Sequence, residues 1–418
     1  MKIFKFGGAS VKDAAAVKNV ADILSRFNGE KIIVVISAMG KVTNALEDVH
    51  RARLKGENPK PIIDTIRAYH ENIAQELFAN EYAERISNIH NYFETLEQLA
   101  ASALSGNDDA DYDAVVGYGE LFSTAIIASY LQLKNFNVVF ADARNIIKTD
   151  DRHRDARVDW QASFQGVTQL LQSMVSQDLA IIQGYIGSDV HNTPTTLGRE
   201  GSDFTAAILA FLADAESVTI WKDVPGMLNA DPKIFKDTVK LEKISFREAI
   251  ELAYYGASVI HPKTIKPLQN KNIPLYIKSF IDPDAKGSVI QEDTAFDHLV
   301  PSFISKTNQV LISITPKDFS FVVEDNLREI FDLLNQFGIR IHLMENSALS
   351  FSLCMDKDEI KQEKLFAALK SKYTIRYNED MQLLTARHYT DAHIQSLIAN
   401  KEVFLEQRNR QTIRFVVR

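Results

Sequence analysis

Lys5-Phe6-Gly7-Gly8-Ala9-Ser10 puts a fixed positive charge, two glycines and a hydroxyl in one short run between an apolar start and an apolar-periodic segment. A strand that turns at two glycines into a helix leaves backbone N–H groups converging on one point. With a lysine beside them they form an anion site, the outline of a phosphate cradle. The same pair also fits an ordinary tight turn. Ser37-Ala38-Met39-Gly40-Lys41-Val42-Thr43-Asn44 offers hydroxyls for a small polar substrate, or simply a loop and a helix cap. In Gly117-Tyr118-Gly119-Glu120, followed by Ser123, a carboxylate at a helix start either complements the helix dipole or receives a substrate ammonium.

The densest cluster is Thr195-Thr196-Leu197-Gly198-Arg199-Glu200-Gly201-Ser202-Asp203. A turn needs only one or two such residues. Arg199 carries a planar fork suited to a carboxylate, and Asp203 is placed to orient reacting groups or contact an ammonium. Trp221-Lys222-Asp223-Val224-Pro225-Gly226, with Asp231-Pro232-Lys233 beyond it, either lines a nucleotide pocket or is a strand ending in a proline-glycine turn. The histidines are scattered, and Asp108, Asp109, Asp111 and Asp113 lack a calcium-loop pattern, so that acidic stretch reads as solvated surface.

These clusters need elements to position them. Ile32-Ile33-Val34-Val35-Ile36 is an apolar block of the kind buried in a parallel sheet, and Val17, Val20, Ala21 and Leu24 repeat at helical spacing before it. Residues 45–104 read as mostly helical, and 137–140, 179–183, 217–221 and 272–277 as further strands between helices. The class expected is α/β, a mainly parallel sheet sandwiched by helices, with the polar clusters at strand ends. Beyond residue 305 the grammar changes to α+β. Strand, helix, strand, strand and helix run to about residue 380, and a second, shortened copy without its last helix fills 381–418.

Composition narrows the function classes. The 418 residues are 45% hydrophobic and 24% charged, too long for one ordinary core, with one cysteine, Cys354, and a net charge of −8. That balance argues against general nucleic-acid binding. The absence of a leader or a long apolar stretch points to a cytoplasmic protein with no membrane partner.

In order and spacing, Lys5 to Ser10, Ser37 to Asn44, Gly119-Glu120 with Ser123, Gln183-Gly184-Tyr185-Ile186-Gly187, Thr195 to Asp203, Trp221 to Pro232 and Gly256-Ala257-Ser258-Val259-Ile260-His261-Pro262 resemble the motifs of the aspartate kinases. The chain looks like a monofunctional member within the amino-acid kinase superfamily, leaving no room for a fused homoserine dehydrogenase. Its tail resembles the paired ACT regulatory domains. The resemblance implies a catalytic domain over 1–295 and ACT-like units over 305–380 and 381–418. It implies transfer of the ATP γ-phosphoryl group to the side-chain carboxylate of L-aspartate, with Mg²⁺ riding on the phosphates, and a homodimer or higher homo-oligomer through the ACT-like units.

By the same resemblance Lys5 and Asp203 are catalytic, and Ser37, Thr43, Glu120, Thr196, Arg199 and Ser202 hold aspartate. Gly7, Gly8, Ser10, Lys222, Asp223 and Lys233 face the nucleotide. Several positions depart from the family pattern. Ala9 stands where threonine is usual, Glu200 where glycine is common, Leu228 where a tyrosine often packs on the nucleotide, Lys233 for arginine, and Ser258 for a lysine that Lys263 would have to replace. In the tail, Ala348 stands at the glutamate of the lysine-sensing Ser-Glu pair, and Asp318-Phe319-Ser320-Phe321 lacks the usual glycine, so feedback by lysine or threonine stays open. Two alternatives also stay open: a kinase of another amino acid, such as glutamate, and a weakly catalytic amino-acid-binding paralogue.

Overall fold

A computed structural model describes residues 1–257 and 260–418; Ser258 and Val259, and with them the expectation for Ser258, lie outside the described residues. The chain forms two compact units. The first gathers Met1–Met227, Lys240–Ile250 and Val259–Thr294, the second Leu228–Val239, Glu251–Ser258 and Ala295–Arg418.

Strands of the first unit are β1 (Lys2–Phe6), β2 (Ile32–Ile36), β3 (Val138–Ala141), β4 (Leu179–Gln183), β5 (Ile186–Ser188), β6 (Pro194–Thr196) and β7 (Ser217–Lys222). After two short strands, β8 (Met227–Leu228) and β9 (Lys240–Leu241), come β10 (Lys243–Ser245), β11 (Leu275–Ser279) and β12 (Ser288–Gln291). One eight-stranded sheet runs β10-β12-β11-β7-β1-β2-β4-β3. It is parallel from β11 to β3, and β12 turns antiparallel against β11. β2 and β4 are buried at every residue, as continuous apolar strands covered on both faces must be. The expected strand at 272–277 starts later, at Leu275, because Asn272 adopts φ 54° just after the helix Pro262–Asn270. The stretch 108–133 is long and apolar enough by composition to cross a bilayer, yet most of it is buried inside this unit, as in a core helix.

Register decides where the chemistry gathers. Phe6 pairs with Ile36 on one side and Trp221 on the other, and Ile36 pairs with Gln183, so β1, β2, β4 and β7 end level. β1 lies between β2, which follows it in sequence, and β7, which comes from much further along the chain, and the crevice lies at their carboxyl ends.

The second unit carries β13 (Ser302–Pro316), β14 (Ile341–Asn346), β15 (Phe351–Asp356), β16 (Tyr373–Arg387), β17 (Val403–Arg408) and β18 (Thr412–Val417). They form an antiparallel sheet in the order β14-β15-β13-β16-β18-β17, like ACT regulatory domains. The helices Glu324–Gln336 and Glu359–Leu369 cover it through Ile330, Leu334, Leu365 and Leu369 packed on Val310, Ile312 and Leu353. A smaller cluster of Ala386, Ile413 and Phe415 takes Ile394 and Leu397 from the short helix Asp391–Leu397. β16 runs unbroken from Tyr373 to Arg387, through residues 380 and 381 where the sequence leads one to expect a boundary between two copies. A bulge between Lys306 and Gln309, with positive φ at Asn308 and Asp380, interrupts its pairing with β13 there.

Candidate active site

At the carboxyl ends of β1, β2 and β7 lies a cavity of about 520 Å³. Lys5 and Gly8 reach it from β1 and the turn after it; Ser37, Ala38, Gly40, Thr43 and Glu47 from the segment after β2; Glu120 from the helix Tyr118–Leu133; Tyr185 from beyond β4; Lys222 from the end of β7. Gly198, Arg199, Glu200, Gly201, Ser202 and Asp203 form one wall, and Tyr112 and Arg154 another.

The turn after β1 is tighter than a simple strand-to-helix step. Gly8–Val11 is a single 3₁₀ turn, and Asp13 then caps the helix Ala14–Ser25 by accepting from the Ala16 N–H at 2.8 Å. Gly8 serves close approach: a Cβ there would lie 2.7 Å from the Ala38 carbonyl oxygen. Gly8 O also accepts from the Gly40 N–H at 3.0 Å, tying the two loops together.

Lys5 Nζ sits 2.6 Å from Asp203 Oδ1, and Lys222 Nζ 3.7 Å from Asp203 Oδ2, with Asp203 almost fully buried in the first turn of the helix Gly201–Leu212. Burial alone would raise the Asp203 carboxyl, but the two lysines hold it below its ordinary value. Glu120 is the opposite case. Its Oε1 accepts from the Ala38 N–H at 3.0 Å, whereas Oε2 is buried with no partner. Burial pushes its pKa up to about 8 against the pull of that N–H and of Lys5. A buried carboxylate oxygen left open at a cavity is an acceptor awaiting a cation.

The wall with Arg199 is shaped by left-handed backbone. Gly198 has φ 73°, and a Cβ there would lie 2.6 Å from Asp155 Oδ1. Glu200 follows at φ 53°, its carboxylate accepting the His261 N–H at 2.7 Å, so part of its added charge is spent on the next segment.

Some expected residues do not reach the cavity wall. Thr196 gives its hydroxyl to Asp113 Oδ1 at 2.6 Å and its N–H to Oδ2 at 3.0 Å. The Ser10 hydroxyl donates to the Trp221 carbonyl at 3.2 Å, and Gly7 stands behind Gly8 as the cap of the 3₁₀ turn. Asp223 is exposed beyond the end of β7, and Lys233 is exposed in the second unit. Lys263 Nζ is held by Asp155 Oδ1 at 2.5 Å and by the Leu197 carbonyl at 2.8 Å.

Asp111 and Asp113 correct the surface reading of the acidic stretch, because both are buried. Asp111 takes the Ser105 N–H. Asp113 binds Thr196, the Arg154 N–H at 3.0 Å and His153 Nδ1 at 3.1 Å. Tyr112 donates its hydroxyl to Glu47 Oε1 at 2.8 Å, and burial pushes its pKa up to about 12. The signal for these residues lay in the apolar company of Asp113, followed by Ala114-Val115-Val116, which suits a core-facing helix rather than a solvated loop. Among the described residues no group of three or more His, Cys, Asp or Glu is arranged to hold a metal.

Residues 1–279 match the amino acid kinase family. The chain is 32% identical over 391 residues to lysine-sensitive aspartokinase 3 of Escherichia coli (strain K12), covering 91% of this chain and 86% of that protein. It is 29% identical to bifunctional aspartokinase/homoserine dehydrogenase 2 of Arabidopsis thaliana, with 89% of this chain covered but only 42% of that longer protein. Among solved structures, E. coli aspartokinase III in complex with aspartate and ADP (R-state) matches with a TM-score of 0.83 at 27% identity, covering 100% of this chain and 96% of that one. The same enzyme with lysine and aspartate (T-state) matches with a TM-score of 0.82 at 28% identity and the same coverage.

Proposed function

The chain belongs to the amino acid kinase family and, within it, to the aspartokinases, and from that premise we propose how its cavity phosphorylates L-aspartate. The reaction is attack of the substrate side-chain carboxylate on the γ-phosphorus of ATP, with ADP leaving and 4-phospho-L-aspartate formed. A carboxylate is already ionised at neutral pH, so no strong base is needed; the work is to hold two anions together and neutralise the transferring group.

In this reading Lys5 and the Gly8 amide meet the γ-phosphoryl oxygens, and Lys222 meets the phosphate side from β7. Asp203 keeps both ammonium groups in place without being protonated. Arg199 clamps the substrate α-carboxylate with its fork, the open Oε2 of Glu120 takes its ammonium, and Ser37, Thr43 and Ser202 fill the remaining hydrogen bonds. Asp203 is shared by two lysines, and among the described residues no three His, Cys, Asp or Glu are arranged to hold a metal, so the donor set suits a Mg²⁺ that arrives on the nucleotide. Bound there, it would neutralise phosphate charge. Residues 1–295 act as the catalytic domain, and 305–380 and 381–418 as ACT-like units through which a homo-oligomer forms in the cytoplasm.

The observation that carries this reading is the buried, unpartnered Glu120 Oε2 in a cavity that also holds the Lys5–Asp203 pair. The test is trapping with hydroxylamine in the presence of ATP, Mg²⁺ and L-aspartate. Aspartyl hydroxamate is the expected product. Its absence, or a product from glutamate instead, overturns the reading.

A further inference from the structure

Arg154 is unaccounted for by the catalytic reading, yet its side chain lines the same cavity as Arg199. Its backbone is at φ 63°, a left-handed conformation that glycine takes freely and that strains a residue carrying a Cβ. A strained residue persists only where its surroundings over-determine it, and here they do. The Arg154 N–H is fixed to both oxygens of Asp113, at 3.1 and 3.0 Å, and that carboxylate is wholly buried and also binds Thr196. The guanidinium carbon lies over the Tyr112 ring, 4.2 Å from its centre, and both residues line the cavity.

Its present partners are replaceable. Nη2 is 2.8 Å from Asp108 Oδ2 and Nε is 2.5 Å from Asp109 Oδ1, but both carboxylates are about half exposed, and ion pairs of that kind hold weakly. Asp108 is further shared with His50 Nε2 at 2.9 Å. A desolvated carboxylate inside the cavity would be the better partner for a planar fork.

Building on the assignment of the cavity to L-aspartate, we propose that Arg154 is a second substrate-binding arginine: it exchanges Asp108 and Asp109 for a carboxylate of the incoming dicarboxylic amino acid and so favours a dicarboxylate substrate over a monocarboxylate. Asp113 is the positioning residue that presents it.

The test is Arg154→Gly, because glycine suits φ 63° and should leave thermal stability equal to or above that of the parent. Loss of a charge-assisted contact is expected to raise KM for L-aspartate about tenfold, with KM for ATP and kcat changed less than about twofold. Calorimetric titration of aspartate should report the same loss of affinity, and Arg154→Lys, which keeps the charge without the fork, should recover part of it. An unchanged KM for aspartate in Arg154→Gly overturns the proposal, as does a rise confined to ATP. A parent enzyme that forms no aspartyl hydroxamate would instead sink the catalytic reading, so the two failures are distinguishable.

Discussion

Two carboxylates of this cavity, a helix start apiece, are driven in opposite directions by their neighbours. Asp203 stays ionised because Lys5 and Lys222 outweigh its burial, so removing Lys5 strips the site of charge and leaves a buried carboxylate short of a partner. Lys5→Met should therefore lower kcat on the order of 10²-fold or more and also lower the thermal midpoint. Lys5→Met combined with Asp203→Asn should regain the midpoint but not the rate, which stopped-flow turnover and calorimetry would separate. Glu120, held near 8, is largely protonated at neutral pH, and an ammonium binding at its open oxygen must expel that proton. Aspartate binding is then expected to release a proton, and kcat/KM for aspartate to climb with pH up to about 8 and level off above it. Calorimetry in buffers of different ionisation heat counts the proton, and Glu120→Gln should abolish both effects. The sign for stability is the reverse: the folded chain holds this proton more tightly than the unfolded one. Glu120 therefore subtracts stability as pH rises from its ordinary 4.5 through about 8.

At the scale of elements, the site depends on where three segments are tied. Asp113, in the helix Asp108–Val116, anchors β6 through Thr196 and the 150–155 loop through His153 and Arg154. Asp113→Ala should cost about 3 kcal/mol in chemical denaturation by leaving these donors unsatisfied. It should also raise KM for aspartate more than it lowers kcat, since the chain from β6 leads on to Arg199. Gly8→Ala tests the other tie: a Cβ 2.7 Å from the Ala38 carbonyl must push the loop whose N–H holds Glu120, again at the expense of aspartate affinity. The sequence made β2, β4, β7 and most tail elements legible, because apolar runs and helical stripes report burial directly. It singled out Lys5, Glu120, Arg199 and Asp203, which do line one cavity, because several polar types crowd beside strand ends. It misled at Asp113 and was silent on Arg154, since an acidic run and a charged loop look alike whether solvated or folded inward; only the long-range partners Thr196 and Tyr112 distinguish them.

At the scale of the whole molecule, sequence order and compact units do not coincide. A cut near residue 295 looks natural where β12 ends and the tail begins, but the second unit also gathers Leu228–Val239 and Glu251–Ser258 from far upstream. Those segments are held by particular bonds: Asn229 Nδ2 donates to the Pro301 carbonyl at 2.8 Å, the Phe303 N–H to the Asn229 carbonyl at 2.7 Å, and Arg387 pairs with Glu251 at 3.1 Å. The Arg414 guanidinium lies 5.0 Å from the centre of the Tyr255 ring. A chain ending at residue 294 keeps Asn229, Glu251 and Tyr255 but loses every one of these partners, so apolar and charged groups that were covered become exposed. Such a truncation should melt lower than the full chain and bind a hydrophobic dye more strongly, whether or not its cavity still turns over aspartate. Restoring 295–418 as a separate polypeptide should raise the melting temperature again, because the missing strands dock on segments already present. Equal melting of the truncated and full chains would mean that Leu228–Val239 and Glu251–Ser258 fold without the tail, and that the division of the chain follows its sequence order after all.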